Sequence, residues 1–252
     1  MEARSVIPGV KRIMVAGIPV DVVREEDFDS VALTLIEDGA FHQIVFLSLW
    51  DLMRARRNVE YRTMIAGASL VLPISISIVR GARFLKRQEP VRYMPFEFVV
   101  KVLGALERKG KSVYLLGSSH GRLQRAETNI KTTFPGLRVV GRYAGHYPRT
   151  MEPAIIEAVR KSTPSLLLVG QGVPGRERWI PRNLPRFGSG IYLWCSDLFE
   201  VFARSGGKPS RELFRRGLEW LPYTIRRPWK IYRFFIFLWY EILLLVARIR
   251  GD

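Results

Sequence analysis

Six short aliphatic runs punctuate the chain, at 44–47, 70–72, 113–116, 137–140, 166–169 and 191–193, and none of them alternates apolar with polar residues. A strand with one wet face alternates, whereas an unbroken run belongs to a strand covered on both faces. Longer stretches with helical spacing lie between the runs, at 51–65, 96–108, 122–133, 152–161 and 176–184. Doubly buried strands interleaved with helices predict an α/β protein with a Rossmann-like, mostly parallel sheet.

The chain has 252 residues, 48% of them hydrophobic, which supplies enough apolar surface for a sizeable core and excludes wholesale disorder. One or two closely joined domains are expected. Cys195 is the single cysteine, so neither an internal disulfide nor a cysteine-cluster metal site can form, and a reducing compartment is expected. The opening MEARSVIPGVKR lacks the apolar stretch of a secretory signal, so the cytoplasm is the expected location. Forty Lys and Arg against 23 Asp and Glu leave a net charge of +17. Such a charge suits nucleic acid, an anionic lipid surface or a phosphorylated substrate.

Composition changes after about Phe202. From Val201 to Asp252 there are eleven basic and four acidic residues and no run that reads as a buried strand. The chain therefore divides into an α/β core at 1–204 and a helical, basic appendage at 205–252. Gly206, Gly207 and Pro209 mark a linker at 205–210, and Pro222 and Pro228 break the remainder into short helices. The last stretch, 229–250, holds an apolar core of fourteen residues at 234–247, interrupted by Glu241 and bracketed by Lys230, Arg233, Arg248 and Arg250. That is short for a membrane span and suits a helix lying in the membrane interface. A helix packed on the protein's own core, or on a second copy, is the alternative.

Two glycine-rich loops come after apolar runs: Gly117-Ser118-Ser119-His120-Gly121 and Gly170-Gln171-Gly172-Val173-Pro174-Gly175. Small residues between a strand and a helix let backbone amides approach a diphosphate, so two such loops predict a nucleotide site. The stretch GALERKGKS at 104–112 is not a phosphate loop, because five residues separate its glycines and it precedes a strand. Gly110 reads instead as a helix stop. His42, His120 and His146 are scattered, so neither a metal nor another cofactor is expected. Ser118 and Ser119 lack the flanking pattern of a hydrolase nucleophile.

In four ordered blocks the sequence resembles the WecG/TagA/CpsF family of bacterial glycosyltransferases. They are Gly17-Ile18-Pro19-Val20-Asp21; VYLLGSSHG with Phe134-Pro135-Gly136-Leu137, Val140-Gly141 and Gly145-His146-Tyr147; LLLVGQGVPGRERWI; and Gly217-Leu218-Glu219-Trp220-Leu221 with Arg227-Pro228. The resemblance implies transfer of an N-acetylmannosamine-type sugar from a UDP donor to a polyprenyl-diphosphate-linked acceptor in cell-envelope polysaccharide synthesis. It also implies a tail that lies at the inner face of the cell membrane and helps close the site, and it leaves homo-oligomers possible. Nucleic acid is not expected, because no binding motif accompanies the charge.

By this resemblance the substrate-binding positions are Ser48, Gly117, Ser118, Gly121, Gly145, Tyr147, Gly170, Gly172, Arg176, Glu177, Lys230 and Arg233. Departures fall on the catalytic pocket. The family's presumed base, the Asp of a Pro-Asp-Gly block, aligns with Ile74 in Pro73-Ile74-Ser75; its upstream Asn is Ser48; the Gln before Glu177 is Arg176; and one of three basic tail positions is Tyr223. Two readings are open. An active enzyme has moved its base, with Asp21, Asp51, Glu177 and Asp197 as the acidic candidates; a catalytically impaired relative serves as a binding or assembly partner at the membrane.

Overall fold

The computed structural model describes residues 7–205, 210–217 and 232–250. Its elements run β1 (Lys11–Val15), β2 (Ile18–Val22), α1 (Phe28–Glu37), β3 (Phe41–Leu47), α2 (Leu49–Arg57), α3 (Val59–Ala66), β4 (Leu70–Pro73), α4 (Ile76–Phe84) and α5 (Pro95–Arg108). The chain continues through β5 (Ser112–Leu116), α6 (His120–Thr133), β6 (Arg138–Tyr143), α7 (Glu152–Ser162), β7 (Leu166–Gly170), α8 (Trp179–Asn183), β8 (Gly190–Ser196), α9 (Leu198–Phe202), α10 (Arg211–Arg216) and α11 (Tyr232–Arg250).

The six aliphatic runs are the six strands of one parallel sheet, ordered β4-β3-β8-β7-β5-β6. For β3, β4, β5, β7 and β8 the lack of alternation has the cause expected of it, whereas the edge strand β6 has no buried residue. Ile44, Leu70, Leu72, Val113, Leu115, Leu166, Leu168, Ile191 and Leu193 point to one face, into a core shared with α1, α5, α6 and α9. The other face carries two separate cores. Leu47 and Val71 pack under the β1–β2 hairpin and helices α2 to α4. Tyr114, Leu116, Leu167, Val169 and Tyr192 pack under α7 and α8. The boundary between these two cores runs along β8, in the middle of the sheet.

Several elements differ from the sequence expectation. The hairpin β1–β2 turns through Ala16 and Gly17, both at positive φ, and its short strands lie outside the main sheet. The single helix expected over 51–65 is two, because Asn58 sits in extended backbone and its side chain accepts from the Tyr61 amide at 2.8 Å, capping α3. The helix expected over 176–184 is a 3₁₀ turn at Arg176–Arg178 followed by the five-residue α8. Gly110, at φ +59, follows α5 as the expected stop.

Part of the basic tail packs on the core. Tyr240 and Leu244 of α11 join the core under α2 and α4, and the Tyr240 hydroxyl donates to the Ser77 carbonyl at 3.2 Å. Gly81 permits this, since a Cβ there would collide with the Tyr240 hydroxyl. Arg248 donates to the Phe84 carbonyl at 2.9 Å. The opposite side of α11 exposes Phe235, Leu238, Trp239, Ile242, Leu245 and Ile249, spaced as one helical stripe. The helix is apolar on two sides, and one of them faces solvent.

Candidate active site

In a parallel sheet all strands end on the same edge, so the loops after them form one rim. Reading across, the strand tips carry Ile74 and Ser75 after β4, Ser48 after β3, Asp197 after β8, the loop 171–175 after β7, Gly117 to Gly121 after β5, and Gly145 to Tyr147 beyond β6. All the sequence-derived candidates whose side chains are described lie on or beside this rim, except Asp21.

Three loops lock together on one half of the rim. The Gly117 amide donates to the Tyr143 carbonyl at 2.9 Å, the Ser118 amide to Gln171 at 2.5 Å, and the Gly145 amide to Ser118 at 2.9 Å. The loops are close enough to need their glycines. A Cβ on Gly117, which holds φ +135, would lie 2.7 Å from the Gly170 nitrogen, and one on Gly145 would lie 2.5 Å from the Gln171 carbonyl. Gly172 backs onto the His146 ring, and Gly170 onto Phe199. Gly117, Gly145 and Gly172 therefore serve loop-to-loop packing and Gly170 the packing of α9 on the strand end, a different demand from the approach of a ligand that the sequence suggests. Gly121 is different: it is exposed in the first turn of α6 with open space around it. The α6 N-cap, Ser119, makes no side-chain cap, so amides of that first turn are free to meet an anion.

Three of the seven described non-glycine residues at positive φ lie on the same rim. Ser118, Arg176 and Ser196 have φ of +57, +52 and +48, and each follows or ends one of the adjacent strands β5, β7 and β8. Non-glycine residues hold such angles only when the surroundings impose them; Ala16, Lys86, Thr163 and Arg204 do so away from the rim. The Ser118 side chain is buried, and its hydroxyl has no hydrogen-bond partner among the described residues. Tyr147 is buried, and burial pushes its phenol pKa up.

The other half of the rim holds a polar cluster. The Leu47 carbonyl accepts from the Ile74 amide at 3.0 Å, and the Ser75 hydroxyl accepts from the Leu49 amide at 3.0 Å, so Ser48 lies against the 74–75 turn. Ser48 caps α2: its hydroxyl donates to the Asp51 carboxylate at 2.5 Å and accepts from the Asp51 amide at 3.2 Å. The Tyr61 hydroxyl donates to the second Asp51 oxygen at 3.0 Å. The Arg54 guanidinium lies over the Tyr61 ring at 4.4 Å and pairs with Glu177 at 2.5 Å. Burial raises the Asp51 pKa and nearby Glu177 raises it further, against the hydrogen bonds from Ser48 and Tyr61. Asp51 and Glu177, drawn from opposite halves of the sheet, thus belong to one cluster.

Ion pairs tie the two halves across β8. Besides Arg54 with Glu177, Glu60 of α3 pairs with Arg178 and, at 2.7 Å, with Arg182 of α8. Neither Arg54 nor Glu60 stands out in the sequence, because its partner lies more than a hundred residues away.

Asp21 is a correction. It lies at the entrance to β4, the opposite end from the rim, where its carboxylate pairs twice with Arg12, at 2.7 and 2.8 Å, and accepts from the Val71 amide at 2.7 Å. Fully buried and saturated, it is structural and leaves the acid candidates. Asp197 is exposed at the β8 tip; it precedes α9, but its side chain makes no cap. Lys230 lies outside the described residues, as does Tyr223, and the Arg233 side chain does too. Among the described residues no group of three His, Cys, Asp or Glu side chains is placed to hold a metal ion.

A family model for the glycosyl transferases of the WecG/TagA/CpsF family matches residues 13–251, from the hairpin through α11. The chain belongs to that family. Among curated relatives it is 21% identical, over 70% of its length and 68% of theirs, to the N-acetylglucosaminyldiphosphoundecaprenol N-acetyl-beta-D-mannosaminyltransferase of Bacillus subtilis (strain 168). It is 22% identical, over 69% of its length and 67% of theirs, to the protein of the same name from Bacillus spizizenii (strain ATCC 23059 / NRRL B-14472 / W23). For a glycosyltransferase family whose fold is an α/β sheet, the rim of strand ends is where such chemistry is to be sought.

Helix α10 reaches this rim from the tail. Gly217, at its end, abuts Ile76 just beyond the 74–75 turn, and Arg92 stacks on Phe214 at 3.7 Å. The described part of the appendage is therefore positioned beside the Ile74 side of the site.

Proposed function

We propose that this protein transfers an N-acetylmannosamine-type sugar from a UDP-sugar to a polyprenyl-diphosphate-linked acceptor at the inner face of the cell membrane. The observation that carries the proposal is the interlocked rim of loops after β5, β6 and β7, beneath the uncapped first turn of α6, in a chain of this family. Backbone amides and Gly121 there suit a diphosphate. Ser48 and the 74–75 turn, across β8, then flank the sugar and its acceptor. Arg176 and Glu177 lie between, at the β7 loop. Lys230 and Arg233 would extend the positive charge toward a lipid diphosphate.

The membrane half of the proposal rests on α11. Among the described residues no helix is long and apolar enough to cross a membrane. A stripe of Phe235, Leu238, Trp239, Ile242, Leu245 and Ile249 left outside the core suits a helix lying in the interface, and each basic side chain near an anionic surface adds about 1 kcal/mol. Full-length protein is expected to sediment with vesicles containing anionic phospholipid at low salt, and Leu238→Glu with Leu245→Glu to abolish this while UDP binding by calorimetry persists. Vesicle binding unaffected by both glutamates would move the contact elsewhere.

Ile74 supports a second reading. An isoleucine cannot accept a proton, and loss of a general base costs about 10² to 10⁴ in rate. A relative that binds UDP-sugar without transferring it would then act as an assembly partner at the membrane.

A further inference from the structure

If the transfer reading holds, the proton released by the acceptor hydroxyl needs a destination, and Ile74 offers none. Beside that turn lies Ser48, whose chain neighbours hold it: the Leu47 carbonyl accepts from the Ile74 amide, and the Leu49 amide donates to the Ser75 hydroxyl. The Ser48 hydroxyl proton points at Asp51, and its oxygen accepts from the Asp51 amide, which leaves one lone pair for a substrate. A helix cap requires no more than these bonds. The cluster has more: Tyr61 fixes the second carboxylate oxygen, and Arg54, one turn along the same helix and stacked over the Tyr61 ring, is paired with Glu177. Asp51 is thereby oriented and spared a direct ion pair with Arg54 that would weaken it as a base.

We propose that Ser48 and Asp51 form a proton relay that replaces the missing carboxylate at position 74. The acceptor hydroxyl donates to the Ser48 oxygen. As its oxygen bonds to the anomeric carbon, the bond from that carbon to the UDP oxygen breaks and its electron pair leaves with UDP. The hydroxyl proton passes to Ser48 while the Ser48 proton passes to Asp51, which ends the step as a neutral acid and returns the proton to solvent. Ser48 is the catalytic residue and Asp51 the acid behind it; Tyr61 and Arg54 are positioning residues.

Burial raises the Asp51 pKa from its ordinary value, and the groups that act on it are Ser48, Tyr61 and Glu177, the last paired with Arg54. The charged form is the base, so kcat should fall as pH drops through that raised pKa. Glu177→Gln removes a like charge and frees Arg54, so it should move this acidic limb to lower pH.

The test compares wild type with Asp51→Asn, Ser48→Ala, Ser48→Thr and Glu177→Gln. It uses UDP-N-acetylmannosamine and a polyprenyl-diphosphate-linked N-acetylglucosamine, with UDP affinity measured separately. Asp51→Asn and Ser48→Ala should each lower kcat by about 10² to 10⁴ with UDP affinity kept, and Ser48→Thr should restore most of it. Folded Asp51→Asn with near wild-type kcat, or losses of kcat matched by losses of UDP affinity, would overturn the relay. If Asp51→Asn does not fold, Ser48→Ala and the Glu177→Gln shift decide. Wild type that binds UDP but transfers nothing overturns the relay and leaves the nucleotide site standing; wild type that binds no UDP removes both.

Discussion

Asp21→Ala is expected to destabilise the protein by about 3–5 kcal/mol, because it strands the buried Arg12 guanidinium without its anion. Arg12 is 7% exposed, and apart from Asp21 it donates to the carbonyls of Ala66, Ala68 and Ser69 in the turn that leads into β4. The same carboxylate anchors Val71, so its loss loosens the hairpin from the sheet edge as well. Against a total stability of about 5–15 kcal/mol that is a large fraction. Chemical denaturation should show it as a lower midpoint. Replacing both partners, as in Arg12→Met with Asp21→Leu, should recover much of the loss, since no buried charge is then left alone. A midpoint unchanged by Asp21→Ala would mean that water reaches this pair. Any fall in activity of an Asp21 variant is therefore to be read as loss of fold rather than loss of a base.

Gly117→Val is expected to cost UDP binding at least tenfold while leaving the sheet folded. The new side chain enters at φ +135, where branched residues are strained by about 1–3 kcal/mol, and its Cβ would lie 2.7 Å from the Gly170 backbone. Backbone cannot step aside as a flexible side chain can. The loops after β5 and β7 must separate, which breaks the Ser118 to Gln171 and Gly145 to Ser118 hydrogen bonds and displaces the first turn of α6. Calorimetry with UDP, alongside a far-ultraviolet spectrum to confirm the fold, checks this. Gly121→Val, in open space at the same helix, should leave the loops joined and reduce affinity only through direct contact with the ligand. Wild-type affinity in Gly117→Val would remove this half of the rim from the nucleotide site.

Five of the strands were legible because they are buried on both faces, which suppresses alternation; β6, at the sheet edge, has no buried residue and was legible only from its short aliphatic run. The β1–β2 hairpin escaped although every residue of β2 is buried. Its strands are five residues each and Asp21 interrupts the second, and only the structure shows that Arg12 neutralises it. The break at Asn58 was hidden because apolar spacing continues through it, while the side-chain cap that causes it is a local hydrogen bond.

At the rim, the order of motifs placed Ser48, Ile74 and the two glycine loops at strand ends, and the sheet brings them to one edge. The sequence could not show what the glycines face: Gly117 and Gly145 meet other backbone, so much of their role is packing. Nor could it join Asp51 to Glu177, since that proximity needs both the order of strands and the pairing through Arg54. The tail was ambiguous because α11 carries apolar residues on two sides. Tyr240 and Leu244 satisfy the packed alternative, and the stripe through Leu238 and Leu245 stays exposed.

The most direct test is transfer itself, followed as the joint appearance of UDP and a lengthened lipid-linked saccharide. Wild-type protein on vesicles of anionic phospholipid, given UDP-N-acetylmannosamine and a polyprenyl-diphosphate-linked N-acetylglucosamine, is predicted to form both products in equal amounts, with the rate falling as the pH is lowered. Protein that is folded, vesicle-bound and saturated with UDP-sugar yet forms no lengthened lipid, with this donor or others of the N-acetylhexosamine class, would contradict it.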